Sequence, residues 1–243
     1  MSTPQIALVT GANKGIGFET ARQLGKQGIH VIVAARDPAK AEAATLALKS
    51  DAISAEALTL DVSSAKSIEL ALKVITDKHR VLDILVNNAG VLLDDAAKKP
   101  SEQPLDAWRK TFDTNVFGLI AVTNSLLPLL KKSKAGRIVN VSSILGSNAL
   151  HQTVDSGIYD YKIPAYNVSK SAVNAWTVHL AHELKDTAIK VNAIHPGHVQ
   201  TDMGGASAPM AVADGAKTSV KFATLPADGP TGGYYHLDQP LPW

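Results

Sequence analysis

The chain contains no cysteine, few aromatic residues and almost no excess of charge of either sign. Its 243 residues include 0 Cys, and Phe, Trp and Tyr together make up 5%. Without cysteine there is no disulfide, no thiolate nucleophile and no cysteine-ligated zinc. Lysine and arginine total 24 against 22 acidic residues, a net charge of +2. This balance gives no reason to predict a nucleic acid or an anionic membrane as a partner.

Long hydrophobic runs are also missing. A representative run, VFGLIAV, is far shorter than the roughly 20 apolar residues that span a bilayer. The N-terminal stretch MSTPQIALVTG lacks a basic segment followed by an apolar core, so we predict no signal peptide. We therefore expect a cytoplasmic protein without a membrane partner, and the absence of cysteine is compatible with a reducing compartment.

Short apolar, β-branched runs alternate along the chain with segments of helical spacing. Most of these runs lack period-two alternation, which is typical of strands buried on both faces. Alternation of strands and helices indicates a parallel sheet covered on both sides. The pattern predicts an α/β doubly wound sheet in one domain, residues 1–243. The predicted strands are Ile6–Thr10, Val31–Ala35, Ala57–Leu60, Ile84–Val86, Arg137–Val141, Lys190–Ile194 and one more after Pro226; the predicted helices are Gly17–Gln27, Lys66–Asp77, Pro104–Leu130 and Ala165–Lys185.

Three glycines, Gly11, Gly15 and Gly17, separate the first predicted strand from the first helix. Glycine permits a tight turn and a close approach of a ligand to the backbone. The helix start offers unpaired N–H groups and the positive end of a dipole, to which a pyrophosphate can bind. The turn therefore predicts a dinucleotide site, although the glycines alone would also fit an ordinary strand–helix turn.

The second strand ends with Ala35 and Arg36, where cofactors with a free ribose 2′-hydroxyl usually meet an acidic side chain. Arginine suits a 2′-phosphate because its planar fork binds two phosphate oxygens. Lys14 in the glycine turn could supply a second cation, whereas Asp37 argues slightly in the opposite direction. We predict NADP(H), and the alternative is that both cations are surface residues.

Two further segments carry groups that could act on a carbonyl. Tyr166 and Lys170 are four positions apart and therefore lie one turn apart on a helix face. A nearby lysine cation lowers the pKa of a phenol, which would suit Tyr166 as a general acid. Ser142 and Ser143 follow a predicted strand and could hydrogen-bond the substrate oxygen. The alternatives are a solvated helix face and a serine pair that caps a turn.

These motifs, in this order, resemble the single-domain form of the short-chain dehydrogenase/reductase family over essentially the whole chain. TGANKGIG resembles the cofactor turn of that family, NNAG the segment after its fourth strand, and HPGHVQTDM the segment lining the nicotinamide. The resemblance implies a Rossmann fold. The residues it assigns to catalysis are Asn115, Ser143, Tyr166 and Lys170, and those it assigns to the cofactor are Gly11, Asn13, Lys14, Gly15, Ile16, Gly17, Arg36, Asp61, Val62, Asn88, Ala89, Gly90, Tyr166, Lys170, Pro196, Gly197, Val199 and Thr201.

The resemblance also implies a role for each catalytic residue. Tyr166 would protonate the carbonyl oxygen, and Lys170 would lower its pKa and hydrogen-bond the nicotinamide ribose. Ser143, chosen over Ser142 by the family pattern, would orient the substrate. Asn115 would use its backbone to hold a water in a proton relay. The expected activity is NADPH-dependent reduction of a ketone or aldehyde; an NAD-dependent alcohol dehydrogenase and a non-catalytic NADP sensor are the alternatives.

The segment between Ser143 and Tyr166 is longer than in many members of the family. These two residues are 23 positions apart, and the extra residues, about 147–163, resemble a shortened form of the insertion in the carbonyl reductase and menthone/salutaridine reductase branch. In that branch the longer insertion accompanies monomeric enzymes, so monomer and homo-oligomer both stay open. Tyr159 and Tyr161 in the insertion suggest a moderately hydrophobic carbonyl substrate.

The remaining polar residues carry weaker expectations. His151, His195 and His198 lack a metal-ligand spacing, so we predict no metal site. The segment 94–103 is expected to be a solvated loop. The segment 202–212 fits a mobile lid and a flexible connection equally well.

Overall fold

The computed structural model describes residues 4–243 and contains one sheet of eight strands, in the order β3-β2-β1-β4-β5-β6-β7-β8. The strands are β1 Ile6–Thr10, β2 His30–Ala35, β3 Ala55–Thr59, β4 Ile84–Asn87, β5 Arg137–Val141, β6 Lys190–Ile194, β7 Tyr234–His236 and β8 Gln239–Pro240. The helices are α1 Gly15–Lys26, α2 Pro38–Ser50, α3 Ala65–His79, α4 Leu105–Phe112, α5 Leu119–Leu130, α6 Asn148–Gln152, α7 Pro164–Glu183, α8 Val212–Gly215 and α9 Lys217–Ala223.

All strand pairs are parallel except the last, in which β8 runs antiparallel to β7. β1 lies between β2 and β4, so the order of strands reverses direction at β1. In sheets of this type the crevice at such a reversal, outside the carboxyl ends of the strands, is where ligands bind. The fold therefore places the glycine turn, which follows β1, at the expected ligand-binding edge.

Both faces of the sheet are buried, as the uniformly apolar strands predict. Along β1, Leu8 packs with residues of α3, α5 and α7 on one face, whereas Ala7 and Val9 pack with residues of α1, α2 and α9 on the other. Full burial of a leucine-sized side chain is worth about 1.5–3 kcal/mol, and the two clusters hold the helices against the sheet. The predicted single-domain, doubly wound α/β fold is confirmed.

Three elements differ from the sequence-based expectation. The predicted helix Pro104–Leu130 is interrupted by a π-helical turn at Asp113–Gly118. Helix α2 was not predicted, because its buried face consists largely of small residues, although Asp37 caps it and Pro38 begins it. Two short strands, β7 and β8, replace the single strand expected after Pro226.

The helical run Leu105–Leu130 is long and apolar enough to cross a membrane by length and composition, with a mean hydropathy of 1.2 over its best window. The short contiguous apolar runs of the sequence predict no membrane-spanning segment, so this finding differs from that expectation. Half of that window is buried inside the fold, as in the core helix of a globular domain. The run is therefore weak evidence for a membrane span.

Candidate active site

The glycine turn is fixed to the segment after β4 by hydrogen bonds. The Thr10 hydroxyl accepts from the backbone N–H groups of Asn88 and Ala89, each at 3.0 Å. The Asn88 side chain donates in return to the Thr10 carbonyl at 2.9 Å. Sequence reasoning placed Asn88 and Ala89 at the cofactor but missed Thr10, whose only signal was a hydroxyl at the end of β1. These bonds bring the ends of β1 and β4 together.

The first turn of α1 is open to an anion. Gly11 and Gly15 have φ of 62° and 57°, which strains any residue with a Cβ. No side chain caps α1, and its first turn has no acidic residue. By contrast, α2 and α3 are capped by Asp37 and Ser64. The uncapped N–H groups of α1 therefore fit a pyrophosphate.

The two predicted 2′-phosphate ligands differ in their surroundings. Arg36 is exposed, and its guanidinium has no hydrogen bond or ion pair within residues 4–243. The Asp37 carboxylate beside it accepts from the backbone N–H groups of Ala39 and Lys40 at 3.0 and 3.2 Å, and so is occupied in capping α2. Lys14 instead forms an exposed ion pair with Asp202. Arg36 thus remains available to an anion, while Lys14 joins the glycine turn to the segment after Thr201.

The other residues predicted at the cofactor lie on loops that follow the strands at the same edge of the sheet. Gly90 lies against the catalytic residues, since a Cβ there would be 3.6 Å from the Lys170 Nζ. Gly15 lies beside Thr201 in the same way, at 3.3 Å. The loops supply Asn13 after β1, Asp61 and Val62 after β3, and Pro196, Gly197 and Val199 after β6, whereas Ile16 lies in the first turn of α1.

Helix α7 holds Tyr166 and Lys170 in the interior, only 7% and 4% exposed. The Lys170 Nζ lies 5.6 Å from the centre of the Tyr166 ring and donates to the Val141 carbonyl at 2.8 Å. Val141 ends β5, and Ser143 follows it two residues later. The arrangement joins the phenol, the ammonium and the serine at the carboxyl end of β5.

Burial dominates the ionisation of this group. It raises the pKa of Tyr166 to about 12, against the hydrogen bond with the Ser143 side chain, which acts to lower it. Burial also lowers the pKa of Lys170 to about 8. The expected lowering of the Tyr166 pKa by Lys170 is therefore not found here: desolvation is the largest cause of its shift, and the ammonium donates to Val141. At neutral pH the phenol is protonated and the lysine is mostly charged.

The two serines after β5 have different partners. The Ser142 hydroxyl donates to the Lys170 carbonyl at 3.3 Å and so supports α7. The Ser143 hydroxyl accepts from the Leu145 N–H at 3.2 Å and caps the short 3₁₀ turn that follows. Its own proton can be donated toward the Tyr166 oxygen. Ser143 thus caps a turn, as the alternative interpretation held, and also faces Tyr166.

Asn115 lies in the π-helical turn between α4 and α5, a kind of irregularity that is frequent at functional sites. Its side-chain oxygen accepts from the Val91 N–H at 2.8 Å, and its nitrogen donates to the Val91 carbonyl at 2.9 Å. The same nitrogen lies 3.0 Å from the Ser169 hydroxyl. The side chain therefore ties the segment after β4 to α7, while the resemblance assigned a role only to the backbone.

Asp94 is a residue that sequence reasoning missed. Helix α7 has no side-chain cap of its own at Ile163. The two carboxylate oxygens of Asp94 accept from the N–H groups of Ala165 and Tyr166 at 2.8 and 2.9 Å. The expectation of a merely solvated loop at 94–103 is therefore wrong at this position, because Asp94 caps α7 from a distant segment.

The segments around the mouth of the site are ordered by their own contacts. In the insertion, Tyr159 and Tyr161 are exposed, and Tyr161 adds to the raised pKa of Tyr166. In the segment 202–212, Met210 pairs with the chain at His198 and Gln200 through backbone hydrogen bonds of 3.2 and 2.9 Å. These bonds attach the far end of that segment to the residues after β6.

Comparisons with known proteins agree with this geometry. The model of the short chain dehydrogenase family matches residues 5–211, and the chain belongs to this family. It is 37% identical to the short-chain dehydrogenase anuI of Penicillium roqueforti, over 91% of this chain and 89% of that protein.

Two carbonyl reductases are also similar over the whole chain. The chain is 32% identical to mouse carbonyl reductase [NADPH] 1, over 100% of this chain and 99% of that protein. The structure of an NADPH-bound carbonyl reductase from chicken fatty liver matches with a TM-score of 0.86 and 26% identity, and each chain is covered completely. The predicted carbonyl reductase-like branch of the family is thus confirmed.

Proposed function

We propose that the protein is an NADPH-dependent reductase that converts the carbonyl group of a ketone or aldehyde to an alcohol. The observation that carries this proposal is the placement of the buried Tyr166, one helical turn from the buried Lys170 and beside Ser143. A phenol holds its proton at neutral pH, as the acid in a reduction must. Similarity to carbonyl reductases supports the same direction of reaction.

Several features favour NADPH over NADH. Ala35 stands where an acidic residue would bind the ribose 2′-hydroxyl, and Arg36 has no partner within residues 4–243. The uncapped first turn of α1 would hold the pyrophosphate, with Lys14 nearby. When bound, NADPH would supply the hydride, while the protein's own residues would provide orientation and the proton.

The chain's own groups divide the proton transfer among them. The Ser143 hydroxyl donates a hydrogen bond to the substrate oxygen and holds it beside Tyr166. Tyr166 then gives its proton to that oxygen, and the Lys170 Nζ, 5.6 Å from the ring centre, is the cation that lies beside the phenolate that remains. Since the Asn115 side chain is committed to Val91 and Ser169, its backbone is the part left to hold a relay water.

Other features of the function stay predictions. The exposed Tyr159 and Tyr161 favour a moderately hydrophobic carbonyl compound. A cytoplasmic location, the absence of membrane and nucleic-acid partners, and the choice between monomer and homo-oligomer rest on the sequence alone. An NAD-dependent alcohol dehydrogenase and a non-catalytic NADP sensor are the alternatives.

The experiment is to measure initial rates of NADPH and NADH oxidation with aromatic, cyclic and aliphatic carbonyls. Tyr166→Phe serves as the blank, and Tyr161→Phe, a nearby tyrosine outside the proposed proton transfer, as the matched control. Carbonyl-dependent oxidation that prefers NADPH and disappears only in the blank supports the proposal. Tight NADPH binding without turnover across the panel would favour the sensor, and a preference for NADH the dehydrogenase.

A further inference from the structure

A second cluster of ionisable side chains lies at the opposite edge of the sheet from the glycine turn. His30 is the first residue of β2, Glu56 the second of β3 and His79 the last of α3. The sheet register pairs Ile32 with Glu56, which puts His30, two residues earlier, on the same face as Glu56. Helix α3 covers this face and ends with His79. The strands β2 and β3 and the helix α3 thus each place one side chain in the same cluster.

The three side chains present ligand atoms close to one another. The His79 Nε2 is 2.5 Å from the Glu56 Oε1, and the His30 Nε2 is 3.9 Å from the same oxygen. All three atoms lie within 4.8 Å of each other. Zinc bonds of about 2.0–2.2 Å in tetrahedral geometry place ligand atoms about 3.3 Å apart, so shifts of about 1 Å would complete such a site. The side chains of His30, Glu56 and His79 are 20%, 22% and 16% exposed, so the cluster lies close to the surface.

The orientation of the His30 ring is further evidence for a bound ion, in addition to the distances between the ligand atoms. Its Nδ1 is hydrogen-bonded to the Ser54 hydroxyl at 2.7 Å. Its Nε2 is buried and has no hydrogen-bond partner, which is unfavourable for a polar atom. In metal sites a histidine characteristically bonds one ring nitrogen to a neighbouring polar group and presents the other to the metal.

An ion-pair cluster explains only part of this arrangement. Lys78 lies 2.9 Å from the Glu56 Oε2, and His79 approaches the other oxygen, so both contacts would exist in a simple surface network. That network brings the buried Nε2 of His30 to 3.9 Å from the Glu56 Oε1 but gives it no hydrogen bond. A cation between the two imidazoles and the Glu56 Oε1 would satisfy it, and the Lys78 contact would remain on Oε2.

We propose that His30, Glu56 and His79 bind one divalent transition-metal ion, for which Zn²⁺ is the probe. Two imidazoles and one carboxylate form a donor set that suits zinc and leaves a fourth position for water. The ion would cross-link β2, β3 and the end of α3, and would therefore stabilise the fold. The sequence predicts no metal site, because the three residues are 26 and 23 positions apart and form no local motif.

The test is a titration of chelator-treated protein, without a histidine tag, with Zn²⁺ by calorimetry and with Co²⁺ by its visible absorption. We expect one ion per chain in the parent protein and a rise in melting temperature with Zn²⁺. His79→Ala and the isosteric Glu56→Gln should each weaken binding at least tenfold. Ser54→Ala should weaken it about 10- to 100-fold through the orientation of His30.

A matched control separates this site from other histidines. His179 and His182 are exposed and three positions apart on α7, so the double variant His179→Ala/His182→Ala removes a competing surface pair. It should retain the full affinity and the thermal shift. Equal binding by the parent and the folded Glu56→Gln and Ser54→Ala proteins would overturn the proposal, as would loss of binding in the control. NADPH binding verifies that each variant is folded.

Discussion

The two sides of the cleft use charge in opposite ways. On the nucleotide side the cations are exposed: Arg36 has no partner within residues 4–243, and Lys14 is paired with the equally exposed Asp202. On the catalytic side Tyr166 and Lys170 are buried, and burial raises the pKa of Tyr166 to about 12 and lowers the pKa of Lys170 to about 8. Interactions between exposed charges are screened by salt, whereas buried ionisable groups are tuned by desolvation. The affinity for the cofactor should therefore depend on salt concentration, and the rate of the reaction should depend on pH.

The largest effect is expected from Tyr166→Phe, which removes the phenolic oxygen from the buried catalytic side of the cleft. Turnover should fall by about 10²–10⁴, the usual contribution of a general acid, while the dissociation constant of NADPH stays unchanged. Carbonyl-dependent NADPH oxidation and a separate binding titration measure the two. A turnover within tenfold of the parent would show that another group donates the proton.

The pH profile tests the buried lysine. The pKa of Lys170 is lowered to about 8, so its charge is present below pH 8 and lost above it. We expect kcat/KM for reduction to fall above about pH 8, approaching tenfold per pH unit. Tyr166, with a pKa of about 12, would keep its proton throughout this range. A profile that stays level to pH 10 would contradict the role given to the Lys170 charge.

Arg36→Ala tests the role of the exposed cations on the nucleotide side of the cleft. Loss of a charged hydrogen bond to the 2′-phosphate should weaken NADPH binding by about 1–3 kcal/mol and leave NADH almost unaffected. The difference should shrink as salt is added. Lys40→Ala removes a neighbouring exposed cation and is the matched control. Equal weakening of both cofactors would mean that Arg36 does not meet the 2′-phosphate.

Asp94→Ala tests how the cap at the start of α7 supports the buried catalytic side of the cleft. The variant leaves the N–H groups of Ala165 and Tyr166 without their cap, which should cost about 1 kcal/mol of unfolding free energy. Turnover should fall severalfold because the start of α7 positions Tyr166, with little change in NADPH affinity. Denaturant unfolding and steady-state rates measure both, and the neighbouring Asp95→Ala is the control. An unchanged stability would show that water replaces the carboxylate.

The smallest effect is expected from Asp202→Asn, which releases Lys14 from an exposed ion pair. NADPH affinity at low salt should rise by less than about fivefold, because exposed pairs are weak. The gain should vanish at high salt and be absent for NADH. Isothermal titration at two ionic strengths measures it. A weaker NADPH complex would mean that Asp202 assists binding rather than competing for Lys14.

Much of the site could be predicted because its residues follow strands in sequence order. Gly11, Arg36, Ser143 and Tyr166 each come just after a strand or at the start of a helix, and parallel strands bring such positions to one edge. Asp94 could not be predicted in this way, since nothing near it in sequence shows that it will cap α7. Thr10 and the side chain of Asn115 were missed for the same reason, because their partners lie in other segments.

The sequence by itself determined the alternation of strands and helices, the glycine turn and the order of the family motifs, because these depend on local patterns of apolar residues, glycines and spacing. Only the tertiary structure decided how Tyr166 and Lys170 ionise, because burial depends on every element packed around them. It also decided that His30, Glu56 and His79 meet, since strand register and the end of α3 bring together residues that no local pattern connects.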